Sequence, residues 1–217
     1  MAKATNRRNF MLAATAVATL PAAQAPLVVP VRRLMDRRAK CTPEELRRFW
    51  WTIWPEAVQT FGRCGIQLQT SDAPGEIKLS RAGRPIFVGA ERGMINLIMT
   101  DHVPGTWDKG RALAGASLMQ EGYTLIVIAL RYAHGHQFPY LSLNTCVHEL
   151  LHALLLDVFV SSPKWYQSGE RELRDDWYGT GMWLLHNGST VRESARAYLK
   201  RLAASGTGRI TGELPLP

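Results

Sequence analysis

The sequence predicts an α+β domain: one small mixed sheet, a buried apolar helix and further helices toward the C-terminus. Three observations carry this. Thr42-Pro43-Glu44-Glu45 opens a stretch with apolar residues at helical spacing. Five short runs of β-branched and aromatic residues follow, separated by Gly, Pro and Asp. The last third of the chain then returns to helical periodicity. Strands gathered in the middle, with helices before and after, are the pattern of a mixed rather than a regularly alternating fold.

Ahead of these elements, residues 1–25 read as an export signal, leaving residues 26–217 as a single domain. Arg7-Arg8 with Phe10 precedes an alanine-rich, weakly hydrophobic run, which resembles a twin-arginine signal. Ala23-Gln24-Ala25 has the A-x-A form of a cleavage site, although Pro26 directly after it disfavours a cut there. The expected location is the periplasm or the exterior. The alternative is an uncleaved anchor, because residues 10–31 carry no charge and approach the length of a membrane span. Arg32, Arg33, Arg37 and Arg38 oppose that orientation, since they would then lie on the outer side.

In the first helix, Thr42 caps, Pro43 takes the first helical position and Glu45 completes the capping box. Leu46, Phe49, Trp50, Ile53, Trp54, Ala57, Val58 and Phe61 follow on one side, with a kink expected near Pro55 and an end at Gly62. Strands are expected at 65–71, 76–80, 85–89, 94–101 and 123–132, with an edge strand at Leu113–Ser117 inside a glycine-rich loop. Residues 142–160 form the buried helix and a second helix runs from about Ser168 to Asn187-Gly188. The last helix opens on the capping box of Thr190 and Glu193.

Composition narrows the function classes. Of 217 residues 46% are hydrophobic and 20% charged, a globular balance. Without residues 1–25 the chain keeps 23 basic against 18 acidic residues. The arginines come in scattered pairs without interleaved exposed aromatics, which argues against nucleic-acid binding and reads as solvated faces. The three cysteines show no C-x-x-C spacing and suggest no zinc site, while Cys41 and Cys64 suit a disulfide in an oxidising compartment. The seven tryptophans read most simply as core.

The chemistry concentrates in "CVHELLHALLLD", residues 146–157, which sets His148, Glu149 and His152 inside an apolar run. Burying such groups without partners costs several kcal/mol. On a helix, residues four apart lie about 40° apart around the axis and one turn along it, so both imidazoles reach one ion. Glu149, about 100° round from His148, stands where a general base for an attacking water belongs. Hydrogen-bonded core histidines are the plain alternative, and a third ligand decides between the two.

Nineteen residues, 153–171, separate His152 from Glu172, which opens Glu172-Leu173-Arg174-Asp175-Asp176. The pattern H-E-x-x-H, nineteen residues, E-x-x-x-D resembles the gluzincin branch of the zincin metallopeptidases. That resemblance implies a zincin-like fold and Zn2+ held by His148, His152 and Glu172. It further implies that Glu149 is the general base, that Asp176 hydrogen-bonds His148, and that an edge strand pairs with substrate. Such an acid fixes the tautomer of the ligating ring. Arg171 stands where the family often has asparagine, and the metzincin positions are filled by Leu155 and Val158. Asp157 is a weak competitor as third ligand.

The expected function is therefore an exported zinc metallopeptidase acting on a peptide or protein substrate, with Tyr178 a candidate donor to the oxyanion. His134 and His136 follow the strongest strand and are weaker candidates for that role, and His186 lies too far along its helix for the same metal. The rival is a non-catalytic zinc protein of the cell envelope that binds a peptide or protein partner. Membrane attachment is expected only with an uncleaved signal.

Overall fold

The computed structural model describes residues 25–70, 73–79, 88–101, 103, 114–120, 122–130, 139–155, 184 and 187–209. They form a mixed α/β domain around a six-stranded sheet: β1 (Leu27–Asp36), β2 (Ile66–Thr70), β3 (Gly75–Ile77), β4 (Ile95–Thr100), β5 (Gly115–Gln120) and β6 (Tyr123–Ala129). The order is β2-β1-β4-β6-β5, with β3 pairing beside the far end of β1. All pairings are parallel except β5 with β6. That last pair is a hairpin, and Gly122 just before β6 takes a φ of 82° that a side chain disfavours.

The helices are α1 (Pro43–Arg48), which passes through a π-helical stretch at Phe49–Ile53 into α2 (Trp54–Arg63), then α3 (Pro139–Leu154) and α4 (Gly188–Ala204). The capping box predicted at Thr42 and Glu45 is present in both directions. Pro55 disturbs the helix differently from the expected kink. Having no N–H, it cannot bond the preceding turn, and the wider π turn that takes up the mismatch lies in the five residues before it, closed by Trp54 N–H on the Phe49 carbonyl.

Helices cover one face of the sheet. Val29, Val31, Ile66, Leu68, Ile95, Leu97, Met99, Ile126 and Ile128 point into a core shared with the buried residues of the π-helical stretch, α2, α3 and α4. Leu34, Ile77, Ile98, Leu125 and Val127 point the other way into a second cluster that, among the described residues, contains no helical one. Strands β4 and β6 are buried along their whole length, as central parallel strands are. Polar staples hold the edges of this packing. Asn96 donates to the carbonyls of Glu91 and Thr124 at 2.7 and 3.1 Å, and the buried Tyr198 hydroxyl donates to Thr124 at 3.0 Å.

Several expectations change. Strand β1, absent from the sequence reading, lies inside the sheet between β2 and β4. Leu27–Val31 belong to it, so a membrane-spanning reading of 10–31 loses its last five residues to the sheet. Among the described residues no helix is long and apolar enough to cross a membrane. Arg32 and Arg33 are not plain solvated residues: Arg32 pairs with Glu91, and the Arg33 guanidinium lies 5.1 Å from the Trp50 ring. Trp51 is 78% exposed, unlike the buried Trp54.

The edge strand is Gly115–Gln120, two residues later than expected at its start. Helix α4 begins at Gly188 without a side-chain cap, because Val191 N–H already bonds the Asn187 carbonyl at 3.0 Å and closes a turn before Thr190. Within the expected 85–89 strand only Val88 and Gly89 are described, Val88 bridging Lys78. Cys41 and Cys64 are half-buried thiols rather than a disulfide, and Cys64 donates to the Leu184 carbonyl at 3.6 Å.

Candidate metal centre

Helix α3 packs on β5 and β6, and its C-terminal half carries the H-E-x-x-H residues. From Thr145 to Leu155 every residue is buried except His148 and His152. Between Thr145 and Leu155 the helix therefore turns all its sides into the core, with the two imidazoles as its partly exposed side chains.

The two rings meet edge to face, their centroids 4.6 Å apart, with Nε2 of His152 2.9 Å from Nε2 of His148. Two neutral imidazoles with both Nε2 lone pairs facing would repel, so this contact needs a proton or a cation between them. Two nitrogens bound to one tetrahedral zinc at about 2.0–2.1 Å stand about 3.3 Å apart. The observed separation is within a few tenths of an ångström of that, and the donor pair fits a zinc ion.

Glu149 is 8% exposed and its side chain turns toward β5. Its Oε2 accepts a hydrogen bond from the Ser117 hydroxyl at 2.7 Å. The same Ser117 Oγ lies 2.9 Å from the main-chain carbonyl of Glu149. Gly115 faces the same side, two residues earlier on the strand. A Cβ there would meet Thr145 Cγ2 at 2.7 Å, Glu149 Cγ at 2.8 Å and Glu149 Oε1 at 3.0 Å. Only glycine allows the strand this close to the carboxylate.

Beyond the motif, the helix end is fixed from outside. Ser194 of α4 donates its hydroxyl to the Leu154 carbonyl at 2.5 Å, and Leu155 N–H closes on the Leu151 carbonyl at 2.8 Å. Cys146, one turn before Glu149, is fully buried, and desolvation followed by the Glu149 charge pushes its thiol well above the usual range. It is an inert core residue rather than a ligand.

The structure thus brings together His148, His152 and Glu149. Glu172, Asp176 and Tyr178 lie outside the described residues, as do Asp157, His134, His136 and His186. Among the described residues no group of three or more His, Cys, Asp and Glu side chains is arranged to hold a metal. Sequence reasoning missed Ser117 and Gly115. The edge strand itself was expected, and residues two apart on a strand share a face, but no local signal says which helix residue that face meets.

No family model, curated protein or solved structure matches this chain. Roles at the centre therefore rest on the motif, its spacing and the geometry of these side chains.

Proposed function

We propose that the chain is an exported, zinc-dependent peptidase of zincin-like architecture. The observation that carries the reading is the pair of accessible imidazoles, Nε2 to Nε2 at 2.9 Å, on a helix otherwise buried, with an acid between them in sequence. A mixed sheet whose antiparallel edge strand runs beside that helix supports it. The export part rests on the arginine pair and alanine-rich run of residues 1–25 alone.

In this reading His148, His152 and Glu172 hold the ion, and Asp176 orients His148. Zinc, when bound, supplies the Lewis acid that polarises a carbonyl and makes a water acidic. Glu149 accepts that water's proton as the oxygen attacks the peptide carbonyl, then returns it to the departing amine nitrogen. Tyr178 is the candidate donor to the oxyanion. The Ser117 hydroxyl of the edge strand donates to Glu149 Oε2, and in this reading Glu149 is the base rather than a ligand.

The test is Glu149→Gln, assayed for zinc content and for cleavage of casein and of mixed quenched-fluorescence peptides. The reading expects unchanged zinc and loss of hydrolysis. Retained hydrolysis sinks the role of Glu149, and a parent that binds zinc but cleaves nothing favours the non-catalytic zinc protein.

A further inference from the structure

We propose that Ser117, on edge strand β5, is the positioning residue that aims the Glu149 carboxylate, with Gly115 providing the space for it. The inference rests on the peptidase reading for its consequence in catalysis, but the contact itself stands on geometry alone.

A glutamate side chain has three rotatable bonds, and a base that wanders loses the alignment that proton transfer needs. Three features of this chain restrain Glu149. Its Oε2 accepts from Ser117 Oγ at 2.7 Å, which fixes one carboxylate oxygen on the strand. The bare Gly115 lets the other oxygen and Cγ pack against β5 where any Cβ would collide with both. The Ser117 hydroxyl has a second acceptor 2.9 Å away, the Glu149 carbonyl, with which the carboxylate shares its single proton, so both of its acceptors belong to one residue. Glu149 is thereby clamped to the edge strand. Strand β5 in turn is held by the antiparallel register Ser117↔Ile126 and Leu118↔Leu125, so the clamp has a rigid base in the sheet.

The experiment combines stability and kinetics on the full chain. Ser117→Ala, Glu149→Ala and the double variant are compared in thermal unfolding without metal. The expected result is coupling: Ser117→Ala lowers the midpoint in the parent and has little effect once Glu149 is alanine. Additive shifts overturn the contact. The zinc-loaded parent, Ser117→Ala and Ser117→Thr are then assayed on a cleaved peptide. Ser117→Ala should lose about tenfold or more in kcat with KM and zinc per chain unchanged, and Ser117→Thr should recover most of it. Coupling with unchanged kcat reduces Ser117 to a structural role and overturns the proposal. If the zinc-loaded parent cleaves nothing, the peptidase reading fails separately, and the coupling alone then decides whether Ser117 holds Glu149.

Discussion

The Ser194 hydroxyl of α4 donates to the carbonyl of Leu154, the last residue of the helix that carries His148 and His152. The last carbonyls of a helix have no partner within it, and both residues are buried here. Helix α4 thus finishes the helix of the two histidines as well as packing against it. Ser194→Ala should destabilise the protein by about 1–3 kcal/mol, the cost of leaving a buried carbonyl unpaired. Denaturant unfolding checks it, and an unchanged midpoint would show that the carbonyl finds another partner.

Gly115 makes a sharper demand. Gly115→Ala places a methyl group 2.7 Å from Thr145 Cγ2 and 2.8 Å from Glu149 Cγ, so the strand or the helix must move. Overpacking of this kind costs about 1–3 kcal/mol. Thr145→Ser removes Cγ2 and should recover part of the loss in the double variant, measurable by thermal unfolding. Full tolerance of the single alanine would mean that β5 sits further from α3 than described.

Cys146 gives a pH prediction. Its thiol is fully buried and its pKa raised, so the native state keeps a proton that the unfolded chain releases above about pH 8.5. Stability is fully present below that pH and falls above it, by at most about 1.4 kcal/mol per pH unit for this one group. Cys64, raised by burial as well, acts in the same direction. Cys146→Ala should flatten the alkaline slope of denaturant stability between pH 8.5 and 10, and the native protein should leave Cys146 unmodified by a thiol reagent. Rapid labelling at pH 8 contradicts this.

How much of this was legible in the sequence follows from how local each signal is. The Thr42 capping box and the strands at Ile66–Thr70 and Ile95–Thr100 announce themselves through neighbouring residues, and they lie close to where the pattern puts them. Strand β1 did not, because Pro30 and the Arg32-Arg33 pair interrupt its alternation and it adjoins the segment that reads as an export signal. The structure explains the tolerance: pairing with β4 begins only at Val31, so Pro30 sits where β1 has β2 alone as a neighbour. Arg33 is accommodated by stacking on Trp50, a contact between distant elements that no window of sequence contains. At the centre, spacing alone placed His148 and His152 together and Glu149 to one side. Ser117 depends on a hairpin that brings residue 117 against residue 149, and such a pairing is written in the tertiary fold, not in the motif.

The central claim is a zinc ion held by His148, His152 and Glu172, and the most direct measurement is zinc per chain by elemental analysis of the purified protein and its Glu172→Ala variant. The account predicts about one zinc in the parent, as a three-ligand site with one open position requires, and markedly weaker retention in the variant. A folded parent that stays metal-free after zinc is offered would contradict it and leave the two histidines as a hydrogen-bonded pair on a core helix.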